Sequence, residues 1–422
     1  MDNWEQVKIS PSSTIKEAVE LLEKVRLGIV LVTDEERKLM GTVTDGDIRR
    51  GLIDHVTLDD QVSEIMTRNP AVASISDDRA KIREMMTNHD LLQIPITDSD
   101  RRLVGLEVLQ PLARDRAKYE NPVVLMAGGF GKRLHPITLK TPKPLLRLGS
   151  KPISQLILEQ LIEAGFQNFF LTVHYKADQV KRYFGDGKKW NVAIRYIEEE
   201  RPLGTAGALG LLPSDLPDLP ILVMNSDLLT KVNFQQLLHY HQMQEGSATV
   251  CARGYDFQVP YGVIETVDQK VSGIVEKPEH KFLVNAGIYV LNTEIVTSIS
   301  RGSYLDMPDV LLQQLESNNT VNIFPVHEYW LDIGKVDEFE RAQEEVERDV
   351  RERSKKRRNM FYDAIILVGL LILIISASAD FIGLGAGPNK DVGEIYGPLQ
   401  IIGNLVGVVV TAVGIVMKRS LR

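Results

Sequence analysis

Cysteine is almost absent from this chain of 422 residues, and the single one, Cys251, excludes an intrachain disulfide. One cysteine in a chain of this length is typical of proteins that fold in a reducing compartment. Cys251 lies in an apolar, strand-like run, residues 248–252. We therefore interpret it as a core residue and not as a nucleophile.

An excess of positive charge is also absent, since 49 Lys and Arg against 57 Asp and Glu give a net charge of -8. This balance argues against a nucleic-acid-binding surface, and no nucleic acid is expected as a partner. The first residues, Met1-Asp-Asn-Trp-Glu5, lack the basic start and apolar core of a signal peptide. The composition, with 44% hydrophobic and 25% charged residues, predicts a globular protein of about two to four domains.

Glycines and cations are concentrated in one stretch, residues 122–145. A short apolar run, residues 123–126, predicts a buried parallel strand, and three glycines follow it within four residues. Glycines let the backbone turn sharply and bring its N–H groups close to an anion. The cations are Lys132, Arg133 and Lys143, the last held between two prolines. The stretch predicts a polyphosphate-binding loop, with a glycine-rich structural turn as the simpler alternative.

Spacing excludes two common phosphate-binding motifs in this stretch. A P-loop would have Ser or Thr after Lys132, where this chain has Arg133. The dinucleotide fingerprint would place its third glycine at Leu134. The pattern that fits is L-x-A-G-G-x-G-x-R-L-x-P-[LI]-T-x-x-x-P-K-P-L, which resembles the signature of the sugar-1-phosphate nucleotidyltransferases. The resemblance implies a catalytic domain over residues 121–345 with an α/β, Rossmann-like doubly wound fold.

The resemblance also implies where the nucleotide binds. A second turn, in residues 200–209, matches the family's base- and sugar-contacting turn, and we expect a helix to begin there. A glycine at a helix start is also a common structural device, so this turn is the weaker signal. Arg133 and Lys143 are implied as catalytic cations that offset charge on the triphosphate and the leaving group. The implied nucleotide-binding residues are Ala127, Gly128, Gly129, Gly131, Gly204 and Thr205.

Two aspartates are implied as catalytic residues and as ligands of Mg²⁺, the expected cofactor. Asp227 ends an apolar strand-like run, residues 221–227, and Asp332 belongs to the pattern W-x-D-[IV]-G. Carboxylate oxygens at strand ends suit a hard cation such as Mg²⁺. Ser226 before Asp227 is a variant that we associate with the guanylyltransferase branch. A single Asp in a loop is more often merely solvated, which is the alternative for each aspartate taken alone.

Two later motifs are implied to bind the sugar phosphate. In Val275-Glu-Lys-Pro278, Lys277 would neutralise the phosphate and Glu276 would bond a sugar hydroxyl. Asn285 and Gly287 would offer a side-chain amide and an accessible backbone. Without this context, adjacent Glu276 and Lys277 are a surface ion pair.

Residues 1–118 contain two loosely repeated units of mixed strands and helices, which resemble a tandem CBS pair. The ligand motif of that family, G-x-x-[TS]-x-x-D, occurs once, in residues 41–47. It implies that Thr44 and Asp47 bond the ribose of an adenine nucleotide. The equivalent positions of the second unit are Glu107 and Gln110, so that anchor is missing there. A nucleotide-binding module and a dimerisation module are the two alternatives.

Residues 346–360 predict a charged helical linker, and two apolar segments follow within residues 361–420. Residues 364–379 and 399–417 lack charge and would span ~24 and ~28 Å, near a hydrocarbon core of ~30 Å. Cations flank the outer ends of the pair. The positive-inside rule then predicts a two-span transmembrane hairpin in the cytoplasmic membrane, with the catalytic domain and both termini in the cytoplasm. A soluble helical hairpin is the alternative.

These patterns together predict a membrane-tethered enzyme that makes an NDP-sugar and pyrophosphate from an NTP and a sugar 1-phosphate, for surface glycan or glycoconjugate synthesis. GTP is favoured as the nucleotide. The alternatives are a thymidylyl- or uridylyltransferase acting on glucose 1-phosphate, and a non-catalytic adenylate-sensing membrane protein. Membrane lipid and further copies of the chain are the other expected partners. The motifs name the reaction and leave the sugar open.

Overall fold

Each of the two N-terminal repeats folds around a three-stranded sheet in the computed structural model, which describes residues 3–25, 27–89, 91–109, 118–378 and 398–419. In both sheets a short strand pairs parallel with the middle strand, and the middle strand pairs antiparallel with the third. The elements in chain order are β1 (Lys8–Ile9), α1 (Ile15–Val25), β2 (Val30–Thr33), β3 (Leu39–Val43), α2 (Asp45–Ile53), β4 (Ala73–Ser74), α3 (Arg79–Asn88), β5 (Gln93–Thr97) and β6 (Leu103–Val108). The shared topology confirms the predicted repeat.

Alternating side chains on β2 connect the two repeats. Val30 and Val32 point to one face of the strand and pack with Ile15 and Ala18 of α1 in the core of the first repeat. Leu31, on the other face, packs in a second cluster to which β6 of the second repeat contributes. All five side chains are buried, so β2 is covered on both faces.

The part of the chain after the repeats is built on a seven-stranded mixed sheet. Three small two-stranded sheets accompany it: β8 with β9, β13 with β19, and β15 with β16. The elements in chain order are β7 (Tyr119–Met126), β8 (Arg147–Leu148), β9 (Lys151–Pro152), α4 (Ile153–Glu163), β10 (Phe166–Val173), α5 (Ala177–Phe184), β11 (Ala193–Glu198), β12 (Ile221–Asn225), β13 (Leu228–Thr230), α6 (Phe234–Met243), β14 (Ala248–Gln258), β15 (Gly262–Val267), β16 (Lys270–Glu276), β17 (Glu279–Leu291), α7 (Thr293–Ser298), α8 (Met307–Glu316), β18 (Val321–Val326) and β19 (Trp330–Asp332). The strand order is β11-β10-β7-β12-β17-β14-β18, in which β17 runs antiparallel to both its neighbours. The predicted α/β fold is confirmed in this mixed form.

Strand β7 lies at the point where the strand order reverses. The chain proceeds from β7 to β10 on one side and reaches β12 on the other, all three strands being parallel. Val123, Val124 and Leu125 are buried, as expected of a strand that is covered on both faces. Ligands of open α/β sheets bind beyond the carboxyl ends of the strands at such a reversal. The glycine-rich loop begins at this position.

Strands β14 and β17 continue beyond the sheet as a two-stranded antiparallel ribbon. Their pairing extends to Gln258 and Glu279, and β15 and β16 then pair from Gly262 and Glu276 to the tip. We call residues 254–267 and 270–283 the ribbon.

Within the sheet, Cys251 of β14 is fully buried, and this burial raises the pKa of its thiol well above the ordinary value, as expected of a core cysteine.

The helix that was predicted to begin within residues 200–209 is a short 3-10 helix, Gly207–Leu211. It packs against residues 303–305, since a Cβ on Gly207 would stand 2.2 Å from the Ser303 carbonyl oxygen.

The C-terminal helices belong to a second compact unit, made of residues 148–150 and the chain after residue 336. They are α9 (Val336–Ser378) and α10 (Pro398–Arg419), so the predicted charged linker and the first apolar segment form one continuous helix. Gly369 of α9 packs against Gly407 and Thr411 of α10, and Asp363 pairs with Lys418. Among the described residues, one helical window, Arg358–Ile375, is long and apolar enough to cross a membrane. The predicted loop between the apolar segments lies outside the described residues.

Candidate active site

Lys143 and Asp227, which are 84 residues apart in the chain, form an ion pair at the carboxyl end of the central strands. Asp227 follows β12, and Lys143 lies in a 3-10 turn after Pro142 on the loop that follows β7. The Lys143 ammonium donates to Oδ2 of Asp227, whereas the buried Oδ1 has no hydrogen-bond partner. The carboxylate therefore keeps one buried oxygen available for a ligand.

Strand pairing brings Asp332 beside Asp227. Strand β13 pairs antiparallel with β19, with Leu228 opposite Asp332, and the Ile333 amide donates to the Asp227 carbonyl at 3.1 Å. Two carboxylates at adjacent backbone positions, one with an unsatisfied buried oxygen, are the hard oxygen donors that Mg²⁺ prefers. The residues present therefore fit the predicted metal.

Helix α4 fixes the segment that carries Asp227. The Ser154 hydroxyl donates to the Ser226 carbonyl at 3.0 Å, and the Ser226 amide donates to the Met126 carbonyl at 3.2 Å. Both serines are buried. Ser154 was not predicted from the sequence, because a serine in the first turn of a helix usually makes hydrogen bonds only to the backbone of that helix.

The glycine-rich loop is folded on β10 and on its own following turn. The Ala127 amide donates to the buried Thr172 hydroxyl at 3.0 Å, and the Thr138 hydroxyl donates to the Gly131 carbonyl at 2.9 Å. Gly131 has a φ of 64°, and a Cβ there would lie 2.9 Å from the Thr138 side chain. Only glycine fits this turn without strain. Gly129 has open space around the position of its missing Cβ, and it is exposed.

Glu199, which the sequence did not single out, connects the two nucleotide motifs. It is 8% exposed and accepts a hydrogen bond from the Leu203 amide at 3.0 Å, while its other carboxylate oxygen faces Gly128. Burial raises the pKa of Glu199, and the Leu203 hydrogen bond and the nearby His174 oppose that rise. Glu199 is the middle residue of a run of three glutamates, residues 198–200, so the sequence does not indicate which of them is buried.

Asp306 holds the second turn, and it too was missed. Its Oδ1 accepts from the Thr205 amide at 2.9 Å and from the Thr205 hydroxyl at 3.2 Å. The Thr205 hydroxyl in turn accepts from the Met307 amide at 2.8 Å. These bonds lower the pKa of Asp306, with the Thr205 amide as the main cause. Gly204, with a φ of 81°, makes the turn that brings Thr205 there.

Asn285 and Gly287 lie in the middle of β17, where the strand enters the large sheet beside the end of β12. The Asn285 side chain accepts from the Gly287 amide at 2.9 Å, and Asn225 occupies the space where Gly287 would have a Cβ. The Trp330 indole donates to the Ala286 carbonyl at 2.9 Å. The structure therefore places this part of the predicted sugar site beside the segment that carries Asp227.

Glu276 and Lys277 lie further along the ribbon and are exposed. Asn285 lies six positions after Glu279 along extended strand, which corresponds to about 20 Å at ~3.3 Å per residue. The structure does not group Lys277 with Asn285.

Arg133 is exposed on the glycine-rich loop, and Lys132 lies over the Phe130 ring with its Nζ 5.3 Å from the ring centre.

In the first repeat, Thr44 and Asp47 bond to each other. The Thr44 hydroxyl donates to Asp47 at 2.6 Å, and the two residues form a capping box at the start of α2. Asp47 also accepts from Arg50 and Thr67. In the second repeat, Glu107 pairs with Arg79 at 2.9 Å, and Gln110 lies outside the described residues.

A buried ionic cluster joins α2 of the first repeat to β18, the edge strand of the large sheet. Arg49 is 4% exposed and contacts Asp45 at 2.6 Å, Glu328 at 2.7 Å, and the Pro325 carbonyl. Its guanidinium lies 3.9 Å from the centre of the Phe324 ring. His327 bonds Asp45 at 2.7 Å. We call Asp45, Arg49, His327 and Glu328 the docking cluster.

Mutual charge keeps Asp45 and Arg49 ionised despite their burial. Burial alone would raise the pKa of Asp45, but the hydrogen bond from His327 and the Arg49 charge hold it below its ordinary value. Burial alone would lower the pKa of Arg49, but Glu328 and Asp45 raise it. Asp45, His327 and Glu328 are close enough to share a metal ion, but Arg49 already supplies the cation between the two carboxylates.

Comparison with known families gives two matches along the chain. A family model described as "Nucleotidyl transferase" matches residues 122–349, more than half of the chain. A CBS domain model matches residues 4–54 and 62–106, which are the two N-terminal repeats.

Several curated relatives carry the name mannose-1-phosphate guanyltransferase or guanylyltransferase. One from Debaryomyces hansenii is 33% identical over 235 residues, which are 51% of this chain and 62% of that protein. A relative from Oryza sativa subsp. japonica, named "Probable mannose-1-phosphate guanylyltransferase 1", is 33% identical over 221 residues, 50% of this chain and 61% of that one. The match thus spans about three fifths of the length of these relatives.

Similar solved structures include HddC from Yersinia pseudotuberculosis. Its complex with GMP-PN has a TM-score of 0.43 and 24% identity and covers 53% of this chain and 99% of that one. A second HddC structure has a TM-score of 0.42 and 25% identity with the same coverage.

Proposed function

Because the chain belongs to the nucleotidyl transferase family, we propose that it joins the nucleoside monophosphate of an NTP to a sugar 1-phosphate and releases pyrophosphate. The observation that carries this proposal is the arrangement at Asp227. Its carboxylate pairs with Lys143, retains one buried oxygen without a partner, and lies beside Asp332 at the reversal of strand order.

In the proposed reaction, an oxygen of the sugar phosphate attacks the α-phosphorus in line. The attacking phosphate is already ionised, so the protein has little proton transfer to perform and acts by positioning and by offsetting charge. Lys143 and Arg133 would offset charge on the triphosphate and the departing pyrophosphate. The backbone of residues 127–131 would orient the triphosphate, since its conformation is fixed by Thr172 and Thr138.

The residues that would hold Mg²⁺ are Asp227 and Asp332. When bound, the metal would supply positive charge that neutralises the reacting phosphates. The Lys143 ammonium, which pairs with Asp227 in this structure, would then be free to contact a phosphate oxygen.

The favoured substrates are GTP and mannose 1-phosphate. The names of the relatives and the Ser226-Asp227 pair support this choice. Thr205 and Gly204, held by Asp306, and Asn285 and Gly287 beside Asn225 are the proposed contacts to the nucleoside and the sugar. Glu276 and Lys277 are proposed for the sugar phosphate, which requires the ribbon to bend toward the sheet, because about 20 Å of strand separates them from Asn285.

We also propose that α9 and α10 form a two-span membrane hairpin whose outer ends face the cytoplasm. The apolar window of α9 and the apolar, well-exposed residues of α10 support this, as does the close helix crossing at Gly369, Gly407 and Thr411. Carbonate extraction of cell membranes tests it: the chain should stay in the pellet, and full release would favour a soluble hairpin.

The reaction is tested by coupled detection of pyrophosphate from the purified full chain in detergent. GTP with mannose 1-phosphate should give the highest kcat/KM among four nucleotides and several sugar 1-phosphates, and Lys143→Met should lose most turnover. Preference for dTTP or UTP with glucose 1-phosphate would show that the chain is instead a thymidylyl- or uridylyltransferase. No release with any pair, together with calorimetric binding of adenine nucleotides, would instead favour a non-catalytic sensor.

A further inference from the structure

A cavity of about 310 Å³ lies between the first repeat and the base of the ribbon, residues 254–256 and 281–283. The first repeat contributes α1, the end of α2 and residues 55–59 to the wall, and the end of β18 completes it. Pockets that hold small ligands commonly measure about 300–1,000 Å³ and occur preferentially where two domains meet. Thr44, Asp47 and the residues of the candidate active site do not line this cavity, so it is separate from both predicted sites.

A glycine on the ribbon base leaves part of the cavity open. Gly254 pairs with Leu283 and Asp256 with Lys281, and residues two apart on a strand share a face. These four positions therefore lie on one face of the ribbon, and all four line the cavity. A Cβ on Gly254 would meet no heavy atom within 4 Å beyond its chain neighbours. The glycine thus leaves space that any larger residue would occupy.

Three cations line the cavity, and they come from three separate elements. They are Lys16 of α1, Arg253 of β14 and Lys281 of β17. Among the residues that the structure describes, none of the three forms an ion pair with a carboxylate. Arg253 donates through Nη1 to the Glu328 carbonyl at 2.5 Å, and a guanidinium has five N–H groups in all. Each of the three side chains can therefore donate to a ligand.

The cavity wall carries more positive than negative groups. Its two carboxylates are Asp59 and Asp256, against three cations, and His55 and His327 add two imidazoles. The docking cluster, which shares His327 with the cavity, has the opposite composition, because Arg49 lies between two carboxylates there. The cation of the docking cluster is therefore satisfied within the fold, whereas the cations of the cavity suit an anion that comes from outside the chain.

We propose that this cavity binds a small organic phosphate of about the size of a hexose phosphate. Phosphate oxygens accept charge-assisted hydrogen bonds from Lys and Arg, which are stronger than hydrogen bonds between neutral groups. The apolar part of the wall includes Leu52, Val56 and Leu283, against which the carbon skeleton of the ligand packs. The volume is at the low end of the range for ligand pockets, so the cavity suits a molecule smaller than a dinucleotide or an NDP-sugar.

A phosphate bound in the cavity contacts both walls. Lys16 belongs to the first repeat, whereas Arg253 and Lys281 belong to strands of the catalytic domain. The ligand thus offsets the repulsion among three cations that the fold brings together, and it adds a second connection beside the docking cluster. A ligand that binds only the folded chain also raises the free energy of unfolding. Binding is therefore measurable both as heat and as a shift of the unfolding temperature.

Calorimetric titration of the purified full chain in detergent, without nucleotide, tests the proposal. The probes are inorganic phosphate, glycerol 3-phosphate and mannose 6-phosphate, and the last should bind most tightly because it fills the cavity best. Lys281→Met should raise its Kd by ~10-fold or more, the loss expected when a hydrogen bond to a charged group is removed. Lys270→Met, at an exposed position near the ribbon tip, should leave the Kd unchanged. Gly254→Leu should abolish binding by filling the cavity, while its thermal unfolding stays near that of wild type.

The proposal is overturned if no probe gives heat at millimolar concentration, or if either Lys281→Met or Gly254→Leu binds mannose 6-phosphate with the wild-type Kd. Lys143→Met separates the cavity from the candidate active site, since binding lost in this variant but kept in Lys281→Met would place the ligand at the active site instead. Equal Kd values for inorganic phosphate and mannose 6-phosphate would show that the cavity takes free phosphate, and would overturn the assignment of an organic ester. The titration needs no turnover, so its failure is distinct from failure of the proposed reaction.

Discussion

The docking cluster and the Lys143–Asp227 pair differ in how completely their carboxylate oxygens are hydrogen-bonded. In the docking cluster, one guanidinium contacts both Asp45 and Glu328, and Arg49 is 4% exposed. In the other cluster, Lys143 contacts one oxygen of Asp227, and the second oxygen has no hydrogen-bond partner although it is buried. Both clusters join residues distant in the chain. In the docking cluster the buried atom without a hydrogen-bond partner is Nδ1 of His327, whereas in the second cluster it is a carboxylate oxygen, which can bind a metal ion.

The docking cluster holds two parts of the fold together, whereas Asp227 keeps an oxygen that can bind a ligand. Burying an ion pair costs desolvation free energy that excellent geometry can offset, and the docking cluster has that geometry. Its result is that α2 of the first repeat is held on β18, covering an otherwise exposed sheet edge. An unsatisfied buried oxygen costs about 1–3 kcal/mol and persists where a site needs it. Asp227 meets that description.

The largest expected effect is on stability, from Arg49→Ala. The substitution leaves Asp45 and Glu328 buried without their cation, and breaking a buried pair in this way costs about 3–5 kcal/mol. Denaturant unfolding of the full chain measures it. The control is Arg50→Ala, the next residue on α2. Its exposed guanidinium pairs with buried Asp47, which keeps hydrogen bonds from Thr44 and Thr67, so the loss should be about 0–1 kcal/mol. Equal losses from the two variants would show that the docking cluster is not structural.

A second substitution, Asp227→Asn, should act on the rate and not on stability. The side chain keeps its shape but loses the charge that would hold the metal, so pyrophosphate release should fall by ~10²–10³. The unfolding midpoint should stay near that of wild type, because asparagine keeps a side-chain oxygen that can accept the hydrogen bond from Lys143. Asp218→Asn, at an exposed position, should change neither quantity. A large loss of stability in Asp227→Asn with normal turnover would show that Asp227 has a structural role and not a catalytic one.

The same contrast shows how far the sequence leads. The strand before the glycine-rich loop and the end of β12 were predicted, because apolar runs and glycines are local signals. The i,i+4 spacing of Asp45 and Arg49 on α2 is also local, but their partner Glu328 is 279 residues from Arg49, and nothing in the sequence announces that contact. Lys143 and Asp227 were both named as site residues, whereas their direct pairing depends on how two loops meet.

Glu199 is a third case, a buried carboxylate that the sequence did not reveal and that has no cation in hydrogen-bond contact among the described residues. Burial raises its pKa in the folded chain. For such a group the contribution to stability is fully present below the unfolded pKa, near 4.5, and is lost as the pH rises through the folded pKa.

The smallest expected effect therefore comes from Glu199→Gln, and it should depend on pH. Glutamine retains an acceptor for the Leu203 amide but removes the charge that burial disfavours, so the variant escapes the loss that wild type undergoes above pH 4.5. Unfolding free energies from pH 4 to pH 8 should diverge through this window in favour of the variant, by about 1.4 kcal/mol for each unit of pKa difference, and then run parallel. Glu200→Gln, at the exposed neighbouring position, should follow wild type throughout. Parallel curves for Glu199→Gln and wild type at every pH would mean that the pKa of Glu199 is the same in the folded and the unfolded chain. Divergence in favour of wild type would mean that Glu199 is stabilised when ionised, as Asp45 is, and either result would contradict the prediction.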